Sequence, residues 1–136
     1  MLDLPSWLLT QSALHAQRLV ADGFAEVGGR GYHHRLLGML IADGPASQAE
    51  LGRRTGMHLS DMVAAVNELA AGGYVTRAPD PADRRRNVIT VTDEGRRRAR
   101  TLRERAERIQ DELLAPLTAA EREQLTVLLR KLLPPR

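Results

Sequence analysis

Two short runs of strand-forming residues, Tyr74-Val75-Thr76 and Val88-Ile89-Thr90-Val91, stand alone in a chain whose other apolar residues recur at the steps of helices. Between them lies Pro79-Asp80-Pro81-Ala82-Asp83-Arg84-Arg85-Arg86-Asn87, a basic stretch stiffened by two prolines. One hairpin cannot build a sandwich or a barrel, so it has to lie against helices. The aromatic content points the same way. Only Trp7, Phe24, Tyr32 and Tyr74 are aromatic among 136 residues, which leaves Leu, Val, Ile, Met and Ala to fill the core. The expected fold is mainly α, α+β only through the hairpin, in a single domain over residues 1–136.

The helical segments follow from their caps and periods. Residues 4–22 read as a first helix, opened by Pro5 and Ser6 and broken by Gly23. Tyr32 to Ala42 is a second, stopped by Asp43-Gly44-Pro45. Ser47-x-x-Glu50 is a capping box that opens a short helix from Gln48 to Thr55, ended by Gly56. The next helix, Leu59 to Ala71, places Leu59, Met62, Val66 and Leu69 on one side and the small or polar Ser60, Ala64, Asn67 and Ala71 on the other. A short helix, a glycine turn and a second helix with a smooth outer face form a helix-turn-helix, and a hairpin directly after it forms a wing.

Thr92 then caps a long helix from Asp93 to about Ala115, along which Ala99, Leu102, Ala106, Ile109 and Leu113 step by three and four residues. Pro116 interrupts it. Thr118-x-x-Glu121 opens a last helix whose Leu125, Leu128, Leu129, Leu132 and Leu133 form an apolar stripe. The expected order is α-α-α-α-β-β-α-α. The stripes on the outer helices exceed what one small lobe can cover and call for a partner surface.

Charge is concentrated. The formal net charge is +3, yet residues 77–108 hold eleven arginines against six acids, while the rest of the chain is slightly acidic. The chain has no cysteine, which excludes a disulfide framework, a thiolate metal site, a cysteine nucleophile and a thiol redox switch. It also lacks a Walker-type phosphate loop, H-E-x-x-H and G-x-S-x-G, so an enzyme is not expected and no cofactor is called for. No apolar run approaches the roughly 20 residues of a bilayer span, and the N-terminus, with Asp3 and no basic region, does not read as a signal peptide. The expectation is a cytoplasmic protein without a membrane partner.

Four stretches, Ser47-Gln48-Ala49-Glu50-Leu51-Gly52, Leu69-Ala70-Ala71-Gly72-Gly73-Tyr74-Val75-Thr76-Arg77, Asp80-Pro81-Ala82-Asp83-Arg84-Arg85 and Val91-Thr92-Asp93-Glu94-Gly95, resemble the MarR family of winged-helix transcriptional regulators. The resemblance is close over about residues 32–100. It implies a winged helix-turn-helix lobe over 32–92, with 4–22 and 93–133 as dimerisation helices. It further implies a homodimer that binds a pseudo-palindromic operator in double-stranded DNA, with a recognition helix in each major groove and a wing at each minor groove. A repressor released by a small aromatic acid is the expected role, an activator being open to the same residues. A winged-helix protein-interaction module or a weakly sequence-specific DNA-binding protein is the alternative.

The resemblance assigns Arg85 to the minor groove and Asp83 to orienting the loop, with Arg84 and Arg86 at phosphates. Guanidinium suits this place because it is always charged and fits the negative potential of a narrow minor groove. On the recognition helix the groove-facing candidates are His58, Ser60, Asp61, Ala64 and Asn67. Ala64 can meet a thymine methyl and Asp61 can accept from a cytosine amino group. No arginine reaches for guanine, so Arg53 and Arg54 are expected to add phosphate contacts. The family's effector site, between the dimer helices and the lobe, would draw on Trp7, His15, Arg18, His33, His34 and Met39. Adjacent His33 and His34 point about 100° apart on a helix and do not readily share an ion, so no metal site is expected.

Overall fold

The computed structural model describes residues 3–135; the remaining ends of the expected 1–136 domain lie outside them. Nine elements follow in order: α1 (Pro5–Ala25), α2 (Gly31–Asp43), β1 (Ala46–Ser47), α3 (Gln48–Thr55), α4 (Leu59–Ala71), β2 (Val75–Pro79), β3 (Asn87–Val91), α5 (Asp93–Leu113) and α6 (Ala119–Leu132). The eight expected elements are all present. The addition is β1, which pairs Ala46 with Ile89 and Ser47 with Val88, so the hairpin becomes a three-stranded antiparallel sheet of order β1-β3-β2. Two residues are too few for a periodicity to show, and this strand exists only because β3 offers it an edge.

Helix α1 also runs through Gly23 instead of ending before it. The glycine serves a close approach: a Cβ there would stand 2.5 Å from Cγ1 of Ile109 on α5, so its absence lets α1 and α5 touch. Gly95, buried in the first turn of α5, does the same against the lobe. A methyl at that position would overlap the carbonyl oxygen of Tyr74.

The core gathers Leu36, Leu37 and Leu40 of α2, Leu51 of α3, Met62, Val66 and Leu69 of α4, and Val75 and Ile89 of the sheet. Phe24 of α1 and Leu102 and Ile109 of α5 belong to the same cluster. The core is therefore continuous across the boundary expected at residues 92 and 93. One expected core residue is not in it: Leu59 is 71% exposed. It sits in the first turn of α4, outside the buried face formed by Met62, Ala65, Val66 and Leu69.

Capping follows the sequence in part. The Thr118 hydroxyl and the Glu121 carboxylate each satisfy the other's backbone N–H, a complete capping box. The Ser47 hydroxyl accepts from the Glu50 backbone N–H, but the Glu50 carboxylate turns instead to Arg86 at 3.1 Å. Thr92 caps α5 by accepting from the Gly95 backbone N–H, and its own hydroxyl donates to the Gly73 carbonyl, tying the start of α5 to the end of the helix-turn-helix.

Candidate nucleic-acid interface

The hairpin tip, residues 80–86, is held by its own aspartates. The Asp80 backbone N–H donates to the Arg86 carbonyl at 2.8 Å, and the Arg86 backbone N–H to the Asp83 carbonyl at 3.0 Å. The Asp80 carboxylate accepts from the Ala82 backbone N–H at 2.8 Å, a turn that aspartate side chains favour. The Asp83 carboxylate accepts from both the backbone N–H and the Nε of Arg85, at 3.1 and 3.2 Å. Those two bonds from Arg85, side chain first, hold the Asp83 carboxyl below the usual aspartate range. Arg85 itself is 91% exposed, so the loop presents a fixed cation to solvent with one edge of its guanidinium already oriented.

Its neighbours diverge. Arg84 is exposed, with no ion pair to another described residue. Arg86 folds back on the lobe, where Nη2 donates to the Ser47 hydroxyl and to Glu50, both at 3.1 Å. In this geometry Arg86 Nη2 braces the wing against the start of α3, a use that the expectation of a phosphate-facing Arg86 does not include. On α3, Arg53 is exposed, whereas Arg54 lies 3.7 Å from Glu50 and 3.8 Å from Asp43.

The outer face of α4 carries Ser60, Ala64 and Asn67, as expected, and also Leu59 and Val63. Its polar members already have partners in the protein. Ser60 Oγ lies 3.3 Å from Nδ1 of His58, and the Asn67 side-chain oxygen accepts from Arg77 of β2. Asp61 is half-buried and accepts from the Tyr32 hydroxyl of α2 at 3.4 Å, which turns it from the groove-reading place expected for it.

Two inter-helix clamps fix this surface to the rest of the molecule. The Glu68 carboxylate of α4 pairs with buried His33 of α2 at 2.6 Å and with Arg30 at 2.8 Å. Partial burial raises the Glu68 pKa, but the His33 hydrogen bond and the Arg30 charge outweigh it, and the net shift is downward. Arg98 of α5 donates to the Val27 carbonyl at 2.7 Å and lies over the Tyr74 ring at 5.5 Å, joining the α1–α2 turn to the base of the hairpin. Sequence periodicity gives no sign of either clamp, since each joins residues tens of positions apart.

The six effector candidates do not come together. His34 and Met39 line a cavity of about 600 Å³ with Phe24, Arg35 and Ile109, between α1, α2 and α5. His34 also lines an adjoining cavity of about 300 Å³ with Arg96, Arg100 and Arg103, which are not among the effector candidates because only the first two helices supply those. Its ring stacks on Phe24 at 5.7 Å. Burial first, then the Arg103 and Arg35 charges, lower the His34 pKa, leaving a neutral ring among cations. His33 is spent on Glu68 instead. Trp7 and Arg18 are exposed on α1, and His15 lies in a different groove of about 700 Å³, walled by Leu8 and Leu9 of α1 and Leu125, Leu128 and Leu129 of α6. No described helix is long and apolar enough to cross a membrane.

Comparison with known proteins adds an independent line. A sequence model described as the MarR family matches residues 27–86, the segment from the α1–α2 turn through the wing. The transcriptional repressor NicR of Pseudomonas putida is 33% identical over 90 residues, covering 66% of this chain and 57% of NicR. The curated relatives are matched over only 30% to 59% of their own lengths. Among solved structures, a probable transcriptional regulator from Pseudomonas aeruginosa is 30% identical with a TM-score of 0.84, over 96% of this chain and 98% of that one. The PcaV transcriptional regulator of Streptomyces coelicolor is 29% identical with a TM-score of 0.81, over 94% and 93%. The helix-turn-helix, the aspartate-held arginine wing and the flanking helices thus coincide with a matching sequence model and near full-length structural agreement, and the chain belongs to the MarR family of transcriptional regulators.

Proposed function

We propose that this regulator works as a homodimer that represses transcription by laying α4 of each lobe in the major groove of a pseudo-palindromic operator, with Arg85 of each wing at the minor groove. The observation that carries the reading is Arg85, 91% exposed at the hairpin tip and oriented by Asp83. Exposed Arg84 and Arg53 add charge for phosphates on either side. Repression is the role named for NicR, which is 33% identical over 66% of this chain.

Release follows from the paired cavities around His34. Arg96, Arg100 and Arg103 form no ion pair with another described residue, and they face apolar Ile41, Ala42 and Ala99. Cations over an apolar floor suit a small aromatic acid, its ring on the floor and its carboxylate on the guanidinium groups. The cavity lies between α2, which Glu68 links to the recognition helix, and α5. An acid bound there shifts the lobes only insofar as it prefers the conformation that does not bind DNA. PcaV, solved in complex with its natural ligand, has the same fold at 29% identity.

The test is a salt titration of binding to duplex DNA selected from a random-sequence library. Arg85→Ala should weaken binding and flatten the plot of log affinity against log salt by about one unit for each phosphate-neutralising charge lost. Unchanged affinity and slope would remove the wing from DNA binding and favour a protein-interaction module.

A further inference from the structure

The recognition helix has an unusual outer surface. Its polar residues already have partners within the chain: Ser60 with His58, Asp61 with Tyr32, and Asn67 with Arg77. Beside exposed Ser60 and Asn67, it offers apolar groups outward. Leu59, in the first turn, is 71% exposed, and Val63, one turn on, is 37% exposed beside exposed Ala64. An isobutyl group left in water at the start of a helix gains nothing for the folded monomer, since Met62, Ala65, Val66 and Leu69 already close the core beneath it. The chain also carries exposed Arg53 on α3, which packs against α4, and exposed Arg85 at the wing tip, cations that favour a polyanion over a neutral apolar partner.

The one apolar group that unmodified DNA displays on its major-groove edge is the 5-methyl of thymine. Resting on the DNA-binding reading above, we infer that Leu59 and Val63 are the specificity-determining residues of this regulator, reading thymine methyl groups in each operator half-site by apolar contact. Leu59 is placed for this because the first turn of a recognition helix penetrates deepest toward the base edges. The arrangement also explains how a recognition helix with no arginine or lysine, and with its carboxylates Asp61 and Glu68 paired to Tyr32, His33 and Arg30, discriminates among sequences.

Deoxyuridine, which pairs as thymine does but lacks the methyl, isolates the effect. Each thymine of a library-selected duplex would be replaced singly by deoxyuridine, and binding measured for the wild type and for the Leu59→Ala, Val63→Ala double variant. At one or more positions per half-site the wild type should lose about fourfold in affinity per methyl, the value of one buried methylene-sized group. In the double variant the thymine-to-uracil ratio at those positions should fall to about one. Its salt slope should hold, because apolar side chains neutralise no phosphate. Both side chains are exposed, so an unchanged thermal melt verifies that the variant folds. The inference is overturned if no uracil replacement changes wild-type affinity, or if the ratio persists in the double variant. Failure to select or bind any duplex would overturn the DNA-binding reading itself.

Discussion

Helices α4 and α6 are nearly equal in length, 13 and 14 residues, and both are rich in Leu, Val and Ala. Yet α4 buries Met62, Ala65, Val66 and Leu69, whereas α6 buries no residue among those described. The difference lies in what surrounds them. The inner side of α4 meets α2, α3 and β2, all formed by the same chain, while α6 leaves Leu128, Leu129 and Leu132 exposed along the groove it shares with α1. A helical period says which face of a helix must be covered; it does not say by which molecule. One lobe closes its own core, and the outer helices leave an apolar face that the proposed dimer would cover.

The largest effect should come from breaking the outer face. Replacing Leu128 and Leu132 with Glu should dissociate the dimer, because each leucine covered at an interface contributes roughly 1.5–3 kcal/mol and two copies lose it together. Sedimentation should show a monomer with its helical circular dichroism retained. A dimer that survives the change would show that α6 is not the covered face. The corresponding break in the inner region is Gly95→Ala. Its methyl collides with the Tyr74 backbone, and overpacking of this kind costs about 1–3 kcal/mol, read as a lower denaturant midpoint. Unaltered stability would mean that α5 is not seated there.

A smaller effect sharpens the link between the two regions. The Glu68 carboxyl is held below its ordinary value near 4.5 by His33 and Arg30. A depressed carboxyl contributes stability that is fully present above the unfolded value and is lost as pH falls through the lower folded one. Glu68 is 39% exposed, so screening keeps this contribution below about 1 kcal/mol. Glu68→Gln should therefore leave stability at pH 3 nearly unchanged and lower it slightly at neutral pH. An acid-unfolding curve identical to the wild type would show that the clamp contributes nothing.

Most of the fold was legible because it rests on local signals. Ser47, Thr92 and Thr118 mark helix starts within a residue, and the two β-branched runs mark the hairpin. Strand β1 was not legible, since two residues carry no period and depend on the edge of β3. The Asp83–Arg85 arrangement was legible from the wing motif. Asp61 and Arg86 were not, because their partners, Tyr32 and the Ser47–Glu50 pair, lie about thirty or more residues away. Period alone places Leu59 with the core, yet in the first turn of α4 it stands 71% exposed, because period does not say where a helix's cover begins. The arginines around His34 are not legible as a cavity wall, because a run of like residues on one helix does not reveal which of them face a neighbouring helix.

On the proposed reading, the self-sufficient lobe meets DNA only as one half of a pair joined by the outer helices. The most direct test is the mass of the complex on a library-selected duplex, measured by sedimentation for the wild type and for the Leu128→Glu, Leu132→Glu variant. The wild type should bind with two chains per duplex, and the variant should show a marked loss of affinity. One chain per duplex, bound equally well by both proteins, would contradict that reading.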